Sequence, residues 1–374
     1  MRRGRALPAA LLLTLGVLGG CTDAVEDAQP NDDGSSSRTD IDSTTPTMSA
    51  PIAAVTEIAE GSTAAGLVPG LIVVVADESG QESLAFGLSD RESGRRMRVD
   101  DRFQIASVTK SMLATVVLQL VAEKRLGLRD TVESLVPGLL AHGERIRVAH
   151  LLGHVSGLQE VDYRRLVGQR GVTDRDVVRP VADAPLEAEP GTLLAYRDVN
   201  YTVLGIVVEQ VTGQRLEPLL RERIFEPLAL SDTRLATEGN PGPRMVHGYE
   251  GESDFSDLDV YWFRGAGGVT SSAEDVSAFF RGLLDGSVLP AEQLAQMTDT
   301  GGDDLAGWTG YGLGLAALDT DCGVAVGHSG RLPGFVSEAW TYRREGRSVV
   351  ILANSSSPSA FDTLDDIRNA ALCS

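Results

Sequence analysis

The chain of 374 residues carries 53 acidic side chains against 33 lysines and arginines, which gives a formal net charge of -20 at pH 7. This excess of negative charge argues against nucleic acid and anionic membrane surfaces as partners, and we interpret it as a solvated surface. With 42% apolar residues, the sequence can bury one large or two modest hydrophobic cores. Lysine occurs only at positions 110 and 124, and every other basic residue except histidine is arginine.

The first 20 residues have the pattern of an export signal. Three arginines lie within the first five residues, and the apolar stretch 7–18 that follows is too short for a stable membrane-spanning helix. The stretch ends in the sequence LGGC, which resembles the cleavage box of bacterial lipoproteins and makes Cys21 the expected lipidated residue. We predict a signal peptide over 1–20 and a lipid anchor on the extracytoplasmic face of the cell membrane. An ordinary secretory signal, followed by a secreted protein, is the alternative.

Residues 22–50 contain no aromatic residue and are rich in aspartate, serine, threonine and proline. Such a composition cannot bury enough apolar surface to offset the entropy lost on ordering. We therefore predict a disordered tether over 21–50, followed by one folded unit over 51–374.

The folded unit contains two cysteines, Cys322 and Cys373. Outside the cytoplasm such a pair is a candidate disulfide. Two unpaired buried thiols are the alternative, because the sequence does not fix the distance between them.

Hydrophobic patterning predicts strands near both ends of the folded unit and helices between them. The predicted helices cover 52–65, 107–124, 199–211 and 359–372, with a further helix starting at 271–274. The predicted strands cover 71–76, 83–87, 324–328, 336–342 and 348–353. We expect an α/β (α+β) fold in which one antiparallel sheet, flanked by helices, is built from 51–106 and 286–374. A mostly helical portion, 107–285, is inserted between these two parts.

The helix predicted over 107–124 is apolar almost all round, which is typical of a buried central helix, and it begins with Ser107-Val108-Thr109-Lys110. Side chains three positions apart share one face of a helix, so Lys110 can reach the hydroxyl of Ser107. A serine needs an adjacent base to act as a nucleophile, and burial without a counter-ion would favour a neutral lysine. Alone this spacing is a weak signal, because serine is a common N-cap and lysine is common in helices.

Two further stretches carry candidate site residues. Tyr196 precedes an apolar helix and can shuttle protons if it lies beside a lysine, while Asp198 also fits the N-cap position of that helix. His328 lies on a predicted strand between glycines, which permit close approach of the backbone to a ligand. Taken singly, the three residues fit ordinary roles: a packed loop tyrosine, a helix cap and a strand histidine.

Together, S-x-x-K at Ser107, Y-x-D at Tyr196 and H-x-G at His328 follow the order found in penicillin-recognising serine enzymes. The chain resembles the superfamily of serine beta-lactamases and D-alanyl-D-alanine carboxypeptidases, in particular its class C beta-lactamase-like branch. The surrounding sequence is similar too, in HLLGHVSGL, PGT…Y-x-D-x-N-Y, GAGGV and GHSGRLPGF. The resemblance covers residues 51–374 and implies a beta-lactamase/transpeptidase-like fold.

The resemblance implies that Ser107 attacks a carbonyl to form an acyl-enzyme, that Lys110 and Tyr196 manage the protons, and that water releases the acyl group. The backbone N–H groups of Ser107 and Arg331 would form the oxyanion hole. His328 stands where lysine is usual, a variant found among carboxypeptidases and esterases of this branch. We therefore predict a D-alanyl-D-alanine carboxypeptidase-like serine hydrolase that acts on a small-molecule or peptidoglycan-peptide substrate, as a monomer without cofactor or metal.

Two positions depart from the usual pattern, and together with Ser329 and Gly330 we assign them to substrate binding. Asp198 replaces the usual asparagine and, when ionised, cannot donate a hydrogen bond to a substrate amide carbonyl. It would instead keep Lys110 protonated or bind a cationic group of the substrate. Arg331 stands where small residues are usual, and its guanidinium either binds a substrate carboxylate or points to solvent.

Several competing functions remain. An esterase or a beta-lactamase would use the same residues, and a non-catalytic, lipid-tethered binding protein would keep the cleft without turnover. An α/β-hydrolase is excluded, because G-x-S-x-G would require glycine at position 331. A zinc site at His150 and His154 is excluded, because HLLGH lacks the glutamate of H-E-x-x-H.

Overall fold

The computed structural model describes residues 49–301, 307–342 and 346–373. The predicted signal peptide, Cys21 and nearly all of the predicted tether lie outside the described residues. The last residue assigned to the tether, Ala50, already begins a helix. Proline in the first turn of that helix fits, because its missing N–H has no partner there in any case.

Eleven α-helices lie in the described ranges, and the predicted helices agree with them to within two residues at each end. In chain order, α1 to α11 span Ala50–Ala64, Val108–Ala122, Val132–Leu135, Val148–Leu152, Asp174–Ala182, Asp198–Thr212, Leu216–Leu220, Arg264–Gly267, Ala273–Leu284, Ala291–Met297 and Pro358–Cys373. The central helix is α2, in which every residue from Val108 to Leu118 is buried, as predicted. None of the helices in these ranges is both long and apolar enough to cross a membrane.

Thirteen strands lie in the same ranges. In chain order, β1 to β13 span Gly70–Asp77, Gly80–Asp90, Arg95–Arg96, Phe103–Gln104, Arg234–Leu235, Tyr249–Glu250, Ser253–Asp254, Val269–Ser271, Gly310–Tyr311, Ala316–Thr320, Gly323–Leu332, Phe335–Thr341 and Ser348–Ala353. Eight of them form one antiparallel sheet in the order β3-β2-β1-β13-β12-β11-β10-β9. The expected sheet from both chain ends is confirmed, because β13 pairs with β1. The small sheets β4-β8-β5 and β6-β7 were not expected.

The eight-stranded sheet separates two hydrophobic clusters. Leu71 and Val73 of β1 face α1 and α11, whereas Ile72 and Val74 pack against the cluster that contains α2. This alternation follows from the pleat of a strand, which directs successive side chains to opposite faces. We call the two sides the α11 face and the α2 face. The division at residues 106 and 285 between a sheet portion and a helical portion stays a prediction.

Cys322 and Cys373 form a disulfide, with their Cα atoms 5.4 Å apart. Cys322 lies in the turn between β10 and β11, and Cys373 is the last residue of α11. The bond therefore ties the end of the last helix to the β10–β11 hairpin.

Candidate active site

The chain turns sharply between β4 and α2. Ala106 has a φ of 48°, in the left-handed region that residues other than glycine occupy only where their surroundings hold them. The next residue, Ser107, is half-buried at the start of α2. Its amide N–H makes no hydrogen bond within the described part of the chain. The turn thus presents both a hydroxyl and a free amide at one point.

Lys110 is fully buried one turn along α2 and donates to three oxygen atoms. Its Nζ lies 3.0 Å from Ser107 Oγ, 2.5 Å from Asp198 Oδ1 and 2.6 Å from the carbonyl oxygen of Ala266. Three acceptors match the three N–H bonds of an ammonium group. A lysine without a counter-ion is therefore not found, and the ion pair with Asp198 agrees with the first of the two roles suggested for that residue.

Asp198 is the first residue of α6, and Arg197 occupies the N-cap position, so the predicted capping role of Asp198 is wrong. The carboxylate is 26% exposed, and its second oxygen, Oδ2, has no hydrogen-bond partner among the described residues. The backbone N–H of Asp198 donates to Glu160 Oε2 at 2.7 Å. Glu160 lies at the exposed rim of the site. Partial desolvation of its carboxyl group and the negative charge of Asp198 raise the pKa of Glu160.

The ring of Tyr196 lies beside Lys110, with Nζ 5.0 Å from the ring centroid. Burial raises the pKa of Tyr196 well above its ordinary value, the charge of Asp198 adds to this, and interaction with Ser107 opposes it. The phenol therefore keeps its proton at neutral pH. It is available as a proton donor next to Ser107.

His154 is a site residue whose role the sequence did not reveal. Its ring is buried and lies 4.2 Å from the ring of Tyr196, centroid to centroid. Nδ1 accepts from the N–H of Arg197 at 3.2 Å and lies 3.1 Å from Asn200 Nδ2. Burial lowers the pKa of His154 well below its ordinary value, and the charge of Lys110 adds to this. An uncharged His154 ring therefore packs against the ring of Tyr196. The only signal was its place within HLLGHVSGL.

His328 is fully buried on β11. Its Nδ1 lies 2.5 Å from the carbonyl oxygen of Ser329, and its Nε2 lies 3.0 Å from the hydroxyl of Tyr311. A carbonyl can only accept, so Nδ1 carries the hydrogen and Nε2 accepts from Tyr311. Burial lowers the pKa of His328 to about 3, and the charge of Lys110 adds to this. His328 is therefore neutral and supplies no positive charge where lysine is usual.

Gly330 brings β11 against the turn that carries Ser107. A Cβ at this position would collide with the carbonyl oxygen of Ile105 and lie 2.9 Å from the amide nitrogen of Ser107. Only glycine fits this approach. Beyond Gly327, the edge of β11 has no pairing with β10. The amide of Arg331 follows Gly330 directly, so both predicted oxyanion donors lie near this contact.

The side chain of Arg331 lies on the α11 face. Its guanidinium carbon is 4.7 Å from the ring centroid of Phe361, and Nη2 donates to the carbonyl of Ser356 at 3.4 Å. Because side chains alternate along a strand, Ser329 and Arg331 are directed away from the face on which Gly330 meets Ser107. The predicted roles of these two side chains in substrate binding are not supported. The interpretation that Arg331 reads a carboxylate stays a prediction, and the contact with Phe361 does not favour it.

The sequence matches the Beta-lactamase family over residues 55–373. The chain belongs to this family. Penicillin-binding protein 4 of Amycolatopsis lactamdurans is 31% identical over 79% of this chain and 83% of that protein. Esterase EstB of Burkholderia gladioli is 32% identical over 72% of this chain and 82% of its own length. A solved structure of a D-stereospecific amidohydrolase from Streptomyces has a TM-score of 0.74 and 29% identity, covering 86% of this chain and 98% of that one.

These comparisons confirm the family and the fold that the motifs implied. The Beta-lactamase family and its neighbours are serine hydrolases, and the chain is placed among them. The names of the relatives include a penicillin-binding protein, an esterase and an amidohydrolase. Family membership therefore fixes the scaffold but leaves the reaction to the details of the site.

Aromatic residues complete the site of this Beta-lactamase-family protein. The ring of Trp308 lies 5.1 Å from that of His328, and the ring of Tyr163 stacks on Phe263 at 4.8 Å. Burial raises the pKa of Tyr163 well above its ordinary value, and the charge of Asp198 adds to this. Trp308, Tyr163 and Glu160 could not be predicted as site residues, because none belongs to a stretch with a distinctive spacing.

Proposed function

We propose that this chain hydrolyses small amides and esters whose acyl part carries a free ammonium group, through an acyl-enzyme on Ser107. The observation that carries the proposal is that two carboxylates lie near Ser107 and only one of their negative charges is neutralised. The backbone N–H of Asp198 donates to the carboxylate of Glu160, and among the described residues Lys110 is the one cation that forms an ion pair with either side chain. Two carboxylates and one ammonium leave a negative charge that a cationic substrate neutralises.

The carboxylate of Asp198 has room for such a group. Its Oδ1 accepts from Lys110, whereas Oδ2 has no hydrogen-bond partner in the described chain and the side chain is 26% exposed. A substrate ammonium bound at Oδ2 would form a charge-assisted hydrogen bond while its carbonyl reaches Ser107. This corresponds to the second role that the sequence suggested for Asp198.

A D-alanyl-D-alanine carboxypeptidase, the activity expected from the sequence, has less support. Such an enzyme needs a cation for the terminal carboxylate of its substrate. His328 is neutral, Arg331 packs on Phe361, and Arg197 pairs with Glu187 at 2.7 Å. The charge around Ser107 therefore favours a substrate with a free amine over one with a free carboxylate.

In the proposed reaction, Ser107 Oγ attacks the carbonyl carbon and its proton passes to the unprotonated form of Lys110. A substrate ammonium at Asp198 favours that form, because a second cation beside the same carboxylate repels the charge on Lys110. Tyr196 donates a proton to the leaving amine or alcohol, and Lys110 returns its proton to Tyr196. The amides of Ser107 and Arg331 stabilise the oxyanion. Water then hydrolyses the acyl-enzyme and restores the Ser107 hydroxyl.

The named relatives support parts of this proposal. A D-stereospecific amidohydrolase and an esterase share the scaffold at 29% and 32% identity. Together they support hydrolysis of both amides and esters, and the former makes the D configuration the first to test.

The test compares D-alanine p-nitroanilide with its N-acetyl derivative, using the L enantiomers and Ser107→Ala as controls. Acetylation removes the ammonium, and we expect it to lower kcat/KM about 10- to 100-fold, the value of a hydrogen bond to a charged group. Asp198→Asn should reduce this preference for the free amine.

Three results would contradict the proposal. Equal turnover of the free and acetylated substrates in the wild type would show that the substrate ammonium does not contribute to recognition. Release of D-alanine from an acylated D-alanyl-D-alanine peptide, without anilide turnover, would support a D-alanyl-D-alanine carboxypeptidase instead. If the wild type and Ser107→Ala react equally with anilides, p-nitrophenyl acetate and a fluorescent penicillin, Ser107 is not the nucleophile, and if neither protein reacts with any of them, the chain is a binding protein without turnover.

We also propose that the mature chain begins at a lipidated Cys21 on the extracytoplasmic face of the membrane. The signal-like pattern of residues 1–20 supports this, and the disulfide between Cys322 and Cys373 is typical of an oxidising compartment. Mass spectrometry of the N-terminal peptide is the test. Cys21→Ser should release the chain into the medium, and an unmodified Cys21 would contradict the proposal.

A further inference from the structure

The third acceptor of Lys110 lies on a very short helix. The carbonyl oxygen of Ala266, 2.6 Å from Lys110 Nζ, belongs to α8, which spans only Arg264–Gly267. Four residues of helix are not stable in isolation. Contacts with neighbouring elements must therefore hold this carbonyl against the lysine.

Arg264 supplies such contacts at the first position of α8. Its Nε donates to Asp174 Oδ2 at 2.8 Å, and its Nη2 donates to Glu209 Oε1 at 2.6 Å. The three side chains are 18%, 7% and 19% exposed respectively. One guanidinium thus joins α8 to α5, which carries Asp174, and to α6, which carries Glu209.

The backbone of Arg264 is itself strained. Its φ is 33° and its ψ is -112°, a combination that costs free energy in a residue with a Cβ. Strain of this kind persists only where the surroundings determine the conformation. The two carboxylates hold the side chain of the same residue whose backbone is strained.

Close packing is the other force that acts on α8. A Cβ at Gly265 would lie 2.6 Å from the side chain of Leu113 in α2, so the two helices already touch there. An experiment must therefore separate the ion pairs of Arg264 from the packing of Gly265.

We infer that Arg264, held by Asp174 and Glu209, is a positioning residue that fixes the Ala266 carbonyl against Lys110. The contacts belong to the protein without substrate. The inference therefore goes beyond the proposed function and holds whichever acyl donor the site accepts.

The chain offers a direct readout, because it contains only two lysines, Lys110 and Lys124. Labelling lysine with 13C at Cε gives two side-chain NMR signals, and Lys124→Arg identifies the signal of the exposed one. We expect Arg264→Ala to shift the signal of Lys110 and leave that of Lys124 unchanged. Arg264→Gly should restore part of the wild-type position, because glycine adopts positive φ without the same cost.

Kinetics give the second readout. The burst of p-nitrophenol from an activated ester measures acylation of Ser107 at saturating substrate. We expect Arg264→Ala to slow acylation about 10- to 100-fold, the effect of a small misplacement of a catalytic group. KM should change by less, because Asp198 and Glu160 at the mouth of the site are untouched.

Arg368 provides a matched control. It pairs with Glu338 at 2.9 Å and with Asp365 at 2.8 Å, and its side chain is 10% exposed, but it has no contact with Lys110 or its partners. Arg368→Ala should lower the thermal stability while leaving the Lys110 signal and the acylation rate of the folded protein unchanged.

An unchanged Lys110 signal in Arg264→Ala, or an equal shift in Arg368→Ala, would overturn the inference. If Arg264→Ala does not fold, Asp174→Asn and Glu209→Gln remove one charge each at constant size and should shift the signal in the same direction. A shifted signal in a protein that never acylates would count against the proposed function and not against this inference.

Discussion

The two faces of the eight-stranded sheet share the same strands but differ in their residues. The core of the α11 face is mainly aliphatic, whereas the α2 face carries buried polar groups and strained backbone. On the α11 face, aliphatic side chains of α1, α11 and the sheet form the core. Its main buried charge, Glu338, has a partner in Arg368. This face also carries the disulfide next to the end of α11.

The α2 face contains most of the exceptions. Lys110 and His328 are fully buried there, and three residues adjoining the site have positive φ without being glycine: Ala106, His154 and Arg264. Within the described ranges, no such residue belongs to α1 or α11. Strained backbone and a buried charge thus adjoin Ser107, while the core of the opposite face is built mainly from aliphatic side chains. If this contrast is right, changes beside Ser107 should affect turnover, and changes on the α11 face should affect stability alone.

The largest effect should come from Lys110→Met. Losing proton transfer is expected to lower kcat/KM about 10²- to 10⁴-fold, the usual contribution of a positioned acid or base. The unfolding free energy should also fall, by about 1–3 kcal/mol, because the variant leaves the Asp198 carboxylate and the Ala266 carbonyl without their buried partner. Rates and thermal unfolding, with the exposed Lys124→Met as control, test this. A variant that remains fully active would show that Lys110 takes no part in proton transfer.

Breaking the disulfide should lower stability without lowering turnover. We expect the double variant Cys322→Ser, Cys373→Ser to lose about 2–4 kcal/mol of unfolding free energy, because the unfolded chain gains freedom. The kcat of the folded protein should stay at the wild-type value. Denaturant unfolding and assays well below the transition measure the two quantities. A drop in kcat would mean that the α11 face also shapes the site.

The buried His328 should make the α2 face sensitive to acid. Its pKa is about 3 in the folded protein, against about 6.5 in the unfolded chain, so protons bind the unfolded state more tightly. Stability is therefore lost as the pH falls through 6.5 towards 3, by about 2 kcal/mol at pH 5 from this group. His328→Gln should lose that much less stability than the wild type between pH 7 and pH 5. Parallel unfolding curves for the two proteins at both pH values would contradict this.

The smallest effect should come from Arg331→Ala. Its guanidinium packs on Phe361 at an exposed position, and such a contact contributes about 0.5–1 kcal/mol. We expect that loss in unfolding free energy and no change in the preference between substrates with and without a carboxylate. Loss of a carboxylate preference would show instead that Arg331 reaches the substrate.

The strands that carry long apolar runs could be predicted from sequence. The strand over Ser348–Ala353 has the predicted bounds, because a continuous apolar run between polar residues leaves little ambiguity. The strands of the two small sheets have only two or three residues, which is too short for any periodicity. Their positions depend on long-range partners such as Thr270 opposite Gln104.

Within the site, the pairing of Ser107 with Lys110 could be predicted, because both lie on one helix at fixed spacing. The pairing of Lys110 with Asp198 was only one of two roles suggested for Asp198, and spacing could not decide between them. Asp198 reaches Lys110 only because α6 packs against α2, and the carbonyl of Ala266 has no side-chain signature. The direction of the Arg331 side chain could not be predicted either, because the sequence does not show which face of β11 meets Ser107.

The order of the sheet has a consequence for how the molecule is made. The strand β13 lies between β1 and β12, although it is the last strand in the chain. The first hairpin therefore keeps an unpaired edge until the end of the chain is available, which makes folding dependent on non-local contacts. Gly330 on β11 must also dock against the turn of Ser107 before both predicted oxyanion amides lie together. Under the proposed function, Ser107 therefore becomes fully reactive only after the strands β11 to β13 have joined the sheet, so that synthesis of the first hairpin and of α2 precedes activity.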